Sequence, residues 1–320
     1  MLEYLDMRRA AIVVIIIAGL AVGPAYSYWI WTPKTGKWFN PKYEAKATPK
    51  EQLEYALAFY NIKKYDDVKR ELAKLIKAFP KAAEAAEAQY YLGRVADDQG
   101  NAYDAFEAYQ KVIDKYPFSE RIQEINSREY DLAEEFMNGK KRTALGVALP
   151  VENPALEIFQ KVIDNSTYGP LAAKAEYKLG VVLKSLVRYY EAEDAFNKVL
   201  KNYPDSEWAE AAKFQLAACR AAISRGSDYD QGAAQEAKDK FQEFVKEHPD
   251  AVLSRDAEKN IQQLNDREAE SFFGTGLFYE KQKKYDAAKV YYNDCINTYP
   301  DSVWAAKSLE RLQLLEKKNK

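Results

Sequence analysis

The sequence predicts an all-α fold, a right-handed solenoid of five to six helix–turn–helix hairpins. One observation is the stretch Leu179 to Pro204 (LGVVLKSLVRYYEAEDAFNKVLKNYP), which reads as the back half of a helix, a turn, a second helix and a proline stop. Another is its gapless copy from Leu92 to Pro117 (LGRVADDQGNAYDAFEAYQKVIDKYP), in which Gly93, Ala105, Tyr109, Val112 and Pro117 fall on Gly180, Ala192, Phe196, Val199 and Pro204. Self-similarity at this scale marks stacked supersecondary units, none of which buries its apolar face alone. Composition agrees: 47% hydrophobic residues, with an excess of Ala and Tyr suited to close-packed helical hairpins.

The spacing has a physical reason. A residue as small as Gly93 or Gly180 lets the two helices of a hairpin approach, with Ala105 or Ala192 expected to face it from the second helix. The aromatic four residues later lies one turn on, on the same face. Proline cannot continue the helix and disfavours helical geometry in the residue before it, so it ends the unit. Small, aromatic and proline at these offsets form the tetratricopeptide pattern, a helix–turn–helix of about 34 residues.

In chain order, Met1 to Ser27 reads as an export signal. Arg8 and Arg9 supply its charge, Ala10 to Val22 is an apolar run, Gly23-Pro24 breaks it, and Ala25-Tyr26-Ser27 offers small residues for cleavage. The apolar run has 13 residues, short of the roughly 20 that span a bilayer as a helix. Cleavage is the reading; retention as an anchor is the alternative, and initiation at Met7 would leave the signal intact. With no cysteine near the cleavage site, lipid attachment there is not expected. Residues 28–47 form an aromatic, proline-bearing lead-in, containing WIWTPKTGKWFNPKY from Trp29 to Tyr43. Pro33, Gly36 and Pro41 exclude a regular helix. Trp29, Trp31, Trp38 and Phe39 make the segment adhesive: it either packs as an extended chain on the first helices or docks on a partner or membrane surface.

The solenoid occupies residues 48–320. Unit one (48–80) opens on Thr48-Pro49 with Glu51, a capped helix start, and stops at Phe79-Pro80. Unit two (81–117) is the copy quoted above. Unit three (119–170) is stretched by an insert, Gly139 to Val151, before Ala155, Phe159 and Val162 resume the offsets. Unit four is 171–204. Unit five (205–249) begins at the cap Asp205-Ser206 and carries Ala237, Phe241 and Phe244. Unit six (250–300) has a long first helix, about Leu253 to Gln282, and keeps Ala288, Tyr292, Cys295 and Pro300 in register. Val303 to Lys320 reads as a capping helix with a lysine-rich end.

Charge balance, 47 basic against 49 acidic residues, argues against a nucleic-acid partner. One histidine and two cysteines leave little for a metal or a thiol–imidazole pair, and there is no nucleophile elbow, phosphate loop, CxxC or HExxH. No catalytic residue, metal or cofactor is expected. His248 stands where other units place Tyr or Phe before the stop proline and reads as helix-end packing. Cys219 and Cys295, in different units, read as two buried free thiols. The binding candidates lie on first helices. Three residues before each small position stand Tyr90, Tyr130, Tyr177, Phe214 and Phe273, an aromatic ladder that either grips an extended or helical peptide in a groove or packs between neighbouring helices. Arg94, Asp97, Asp98 and Lys184 project nearby, as groove residues or as a solvated face.

An export signal, an aromatic lead-in and units ending in YP together resemble the BamD-type (ComL-like) outer-membrane protein assembly factors. The likeness is carried by Phe59 to Pro80 (FYNIKKYDDVKRELAKLIKAFP), Ala83 to Gly93 (AEAAEAQYYLG) and Ala269 to Pro300 (AESFFGTGLFYEKQKKYDAAKVYYNDCINTYP). It covers most of residues 48–313. The resemblance implies a non-catalytic periplasmic scaffold at the outer membrane. Such a scaffold binds the barrel-inserting subunit through its C-terminal units and receives unfolded outer-membrane proteins at its N-terminal ones. The sequence departs from that family in lacking the lipid-attachment cysteine, in its length, and in its inserted third and long sixth units. Membrane association would then run through the protein partner or the Trp29 to Phe39 segment. The alternative is a periplasmic adaptor of cell-envelope maintenance, similar to the repeat region of the Tol–Pal-associated coordinator of cell-wall synthesis, though without its N-terminal coiled coil.

Overall fold

The computed structural model describes residues 29–32, 36–40, 44–144, 147–225 and 230–318. The expected export signal lies outside the described residues. The chain divides between Arg121 and Ile122 into two compact units, and the described residues hold thirteen α-helices.

The first unit begins with a short β-hairpin, β1 (Ile30–Thr32) against β2 (Lys37–Phe39), with Trp31 opposite Trp38. The lead-in therefore folds back on itself where an extended chain was an option. Gly36 permits this, because it takes φ +63°, a left-handed conformation that costs glycine almost nothing. Two helical hairpins follow: α1 (Pro49–Asn61) with α2 (Tyr65–Ala78), and α3 (Ala83–Asp98) with α4 (Ala102–Lys115). The Thr48 cap forms as the sequence indicates, its Oγ1 accepting from the Glu51 N–H at 3.2 Å.

The second unit contains four more hairpins and a final helix. Hairpin three is α5 (Ile122–Met137) with α6 (Ala155–Asn165), and its insert carries a two-residue-stranded turn, β3 (Thr143–Ala144) against β4 (Val147–Ala148). Hairpin four is α7 (Ala172–Ser185) with α8 (Tyr189–Asn202), hairpin five α9 (Trp208–Ile223) with α10 (Gln231–Glu247), and hairpin six α11 (Val252–Lys281) with α12 (Tyr285–Thr298). The chain ends in α13 (Val303–Lys318). The 30 residues of α11 let one helix serve two hairpins. Ala257 and Leu264 of its first half join the cluster of Phe241 and Phe244, while Phe273 and Leu277 of its second half pack with Ala288 and Tyr292. Leu312 and Leu315 of α13 close that last cluster.

The turns repeat one device. Lys63, Gly100, Val187 and Lys283 each follow the C-cap of a first helix with φ between +55° and +78°. At each, the next residue's N–H reaches back to the third-last carbonyl of the helix: Lys64 to Phe59, Asn101 to Ala96, Arg188 to Leu183 and Lys284 to Tyr279, all at 2.9–3.0 Å. These are Schellman closures, which satisfy carbonyls a helix end leaves open. The second helices stop alike. Phe79, Tyr116, Tyr203, His248 and Tyr299 are C-caps with ψ of 51–60°, each followed by Pro, which disfavours helical geometry in the residue before it.

The core sits at the repeat positions. Ala105, Tyr109 and Val112; Ala155, Phe159 and Val162; Ala192, Phe196 and Val199; Ala237, Phe241 and Phe244; and Ala288, Tyr292 and Cys295 are all buried. One detail of the expected packing is corrected. The glycines do not chiefly face the small residue of the second helix but its ring: a Cβ on Gly93, Gly180 or Gly276 would lie 2.4–2.6 Å from Tyr109, Phe196 or Tyr292. Absence of a side chain there is what seats the aromatic.

Candidate functional site

The aromatic ladder shares a face with the small positions, since residues three apart lie one above the other on a helix. Each ring therefore meets the same second-helix aromatic. Tyr90 lies 5.9 Å from Tyr109, Tyr130 5.5 Å from Phe159, Tyr177 5.7 Å from Phe196, Phe214 5.5 Å from Phe241 and Phe273 5.8 Å from Tyr292, centroid to centroid. A second cover comes from the residue four places after the stop proline, at or just before the start of the next helix. Arg121 sits 4.8 Å over Tyr90 and Lys174 4.5 Å over Tyr130, while Trp208 and Trp304 lie 5.1 Å and 5.3 Å from Tyr177 and Phe273. Leu253 holds the equivalent place in sequence and, like Phe214, packs against the hairpin-five cluster.

Tyr90 and Tyr130 are consequently only 3% exposed. These two are packing residues rather than groove walls, which corrects the groove expectation for them: covered on both faces, the rings have no face left for a peptide. Tyr177, Phe214 and Phe273 are half-buried. Arg94 is drawn onto the ladder as well. Its Nη1 donates to the Tyr90 hydroxyl at 3.0 Å, and that bond holds the guanidinium firmly protonated. Beside it the Tyr60 hydroxyl donates to Asp98 at 2.6 Å.

In the second unit the structure brings Tyr177 and Lys184 together through a residue the sequence reading passed over. Lys184 Nζ donates to Gln215 Oε1 at 2.7 Å, and Gln215 Nε2 donates to the Tyr177 hydroxyl at 3.4 Å. This chain edges an open trough of about 430 Å³ across the first helices α7, α9 and α11, lined also by Tyr189, Arg225 and Asn260. Gln215, Arg225 and Asn260 share no motif with the ladder. Gln215 is the residue after Phe214, Arg225 follows the Ser224 C-cap of α9, and Asn260 lies two turns into α11, so only the fold shows that they converge.

The Trp segment forms a second surface. Trp29, Trp31 and Trp38 are 57%, 48% and 64% exposed, and cross-strand pairing puts Trp31 and Trp38 side by side. Phe39 ends the same strand, opposite Ile30.

The remaining candidates take structural places. Cys219 and Cys295 are buried free thiols. Burial pushes the Cys219 thiol up to about 11, far from the reactive thiolate range. His248 caps α10 and lies against Phe244 at 5.1 Å. Among the described residues no group of three or more His, Cys, Asp and Glu could hold a metal ion, and no helix is long and apolar enough to cross a membrane.

Residues 53–120 and 155–207 match the family model for the tetratricopeptide repeat, and residues 216–319 match YfiO, an outer membrane lipoprotein family. No curated protein matches the sequence. Among solved structures, the C-terminal part of a tetratricopeptide repeat-containing protein from Cytophaga hutchinsonii is 18% identical over 82% of this chain and 88% of that one, with a TM-score of 0.38. A tetratricopeptide repeat protein from Parabacteroides merdae is 16% identical over 84% and 98%, with a TM-score of 0.33. The hairpins and the matched repeats define the class: an all-α protein of tetratricopeptide-like hairpins, an architecture that serves as a protein-binding scaffold.

Proposed function

We propose that this chain is a non-catalytic, periplasmic protein-binding scaffold of outer-membrane barrel assembly. It holds the barrel-inserting subunit and receives unfolded outer-membrane proteins. The observation that supports this reading is the extent of the lipoprotein-family match. Residues 216–319 run without interruption from the middle of α9 through α13, taking in the double-duty helix α11 and the capping helix as one C-terminal block. In the proposed arrangement that block is the docking end, and the first unit meets substrate. The half-buried rings Tyr177, Phe214 and Phe273 with Lys184 form the partner face of the second unit. Trp29, Trp31, Trp38 and Phe39 form a separate docking segment, so that membrane association runs through protein contact and this hairpin.

The test is a mild-detergent pull-down of the tagged chain from native envelopes, with the co-purifying proteins identified by mass spectrometry. A large outer-membrane barrel with periplasmic repeat domains is the expected main partner. Recovery of cell-wall synthases or Tol–Pal components in its place would overturn the assembly role in favour of an adaptor of envelope maintenance.

A further inference from the structure

The trough between α7, α9 and α11 has a charge that the fold does not use. Among the described residues its lining includes Lys184 and Arg225 and no Asp or Glu. Among the described residues neither cation has a carboxylate partner, although ion pairs are common elsewhere on these helices, Arg220 with Glu193 and Lys213 with Glu247 among them. An ammonium carries three donors, and among the described residues that of Lys184 donates to a neutral amide, Gln215. Burial pushes the Lys184 ammonium below its ordinary pKa, and the nearby charge of Arg225 adds to this. Two cations with no carboxylate partner among the described residues, on the wall of a partly desolvated trough, favour an anion, since electrostatic attraction strengthens as water is displaced.

The rest of the lining narrows the occupant. Ala218, Ala221, Ala222 and Val181 supply apolar lining, and Gln215 and Asn260 supply side-chain amides. Amides together with apolar lining suit a peptide main chain with short side chains, and the trough is open, so it accepts a strand passing through without requiring a chain end. We infer that this trough is the binding site for an extended acidic segment of a partner protein, whose Asp or Glu side chains pair with Lys184 and Arg225 while its backbone lies against the alanine lining. The inference rests on the protein-binding reading above and names the chemistry of its partner.

Fluorescence anisotropy on the full chain tests it. The probe is a fluorescein-labelled, C-terminally amidated decapeptide of alternating Glu and Ala, set against the same peptide with Gln for Glu and against the Gln peptide with a free C-terminus. The acidic amide should bind at least about tenfold more tightly than the neutral one, and more weakly as salt is raised. Lys184→Gln and the exposed-site charge reversal Arg225→Glu should each lose about tenfold, with thermal melting by circular dichroism unchanged for Arg225→Glu. Equal binding of both amidated peptides, binding of the free-carboxylate peptide alone, or full affinity in the Arg225→Glu variant would each overturn it. Should the acidic peptide fail while the envelope pull-down still recovers a partner, the scaffold reading stands and the acidic-segment inference falls.

Discussion

Hairpins two, four and six differ from hairpins three and five in two features that travel together. The first group sets Gly93, Gly180 or Gly276 against an aromatic ring and joins its helices by the short left-handed turn. The second sets Ala133 or Ala217 in the glycine's place, with Phe159 or Phe241 on the second helix, and joins its helices through residues 138–154 or 224–230. Hairpin one decides what the difference means. It has the short turn at Lys63 but carries Ala56 with Leu72, both buried. A tight turn brings the helices close, and the pair across the gap must then be smaller in total. That pair is either glycine with a ring or alanine with leucine, whereas a longer connection admits alanine with a ring.

The largest expected effects test the rings. Phe196→Ala should cost about 3–5 kcal/mol, as loss of a buried aromatic does, because Gly180 has no side chain to help fill the hole. Phe159→Ala faces Ala133 and should cost measurably less. The readout is the urea midpoint at constant m-value; equal losses would break the comparison. Next in size is the glycine itself. Gly180→Ala puts a Cβ 2.6 Å from Phe196, and overpacking of about 1–3 kcal/mol should outweigh the roughly 1 kcal/mol that alanine gains in helix propensity. Adding Phe196→Leu recreates the Ala56–Leu72 pairing of hairpin one, so a double-mutant cycle should show favourable coupling. Additive losses would mean that the turn does not set the spacing.

A smaller effect isolates the turn. Val187 is a β-branched residue at φ +63° and is 67% exposed, so it bears backbone strain without packing in return. Val187→Gly should stabilise by about 1 kcal/mol, and Gly100→Ala, at the matching place in hairpin two, should destabilise by a similar amount. A lower melting temperature for Val187→Gly would show that the side chain has an unrecognised contact.

How much of this the chain discloses depends on how local the cause is. Gly93 to Pro117 and Gly180 to Pro204 carry the hairpin in their spacing, and the length of α11 follows from the absence of a turn signal between Leu253 and Gln282. The cover over the ladder is harder to read, because Arg121, Lys174, Trp208, Leu253 and Trp304 share a position but no chemistry; cation–π, ring stacking and aliphatic packing serve one geometric purpose. The Trp hairpin escapes for a different reason. Three-residue strands offer no periodicity, and Pro33 and Pro41 speak only against helix. The trough could not be read at all, since Arg225 and Asn260 meet Lys184 only once α9 and α11 have packed beside α7.

The smallest expected effect is also the most position-specific. Gln52, Gln89 and Glu176 stand at one repeat position, four residues before Ala56, Gly93 and Gly180. Gln52 Nε2 donates to the Glu71 carbonyl at 2.9 Å and Gln89 Nε2 to the Ala108 carbonyl at 3.0 Å, tying first helix to second. A carboxylate cannot make that donation. Glu176 is 2% exposed with Lys198 Nζ 3.7 Å away, and burial raises its pKa above 4.5, which the lysine only partly offsets. The native state then holds a proton the unfolded chain has released, so this group makes stability fall as pH rises above about 4.5. Glu71 behaves oppositely. Burial alone would raise it, but hydrogen bonds from Lys74, Gln52 and Arg70 together hold it below 4.5, and its contribution is lost as pH drops through that range. Glu176→Gln should therefore stabilise the fold at neutral pH and flatten the decline above pH 4.5, whereas Glu71→Gln should destabilise at neutral pH. Chemical denaturation of both variants between pH 4 and 8 separates them; a Glu176→Gln variant no more stable than the parent at pH 7 would show that the Lys198 pairing outweighs the missing donor.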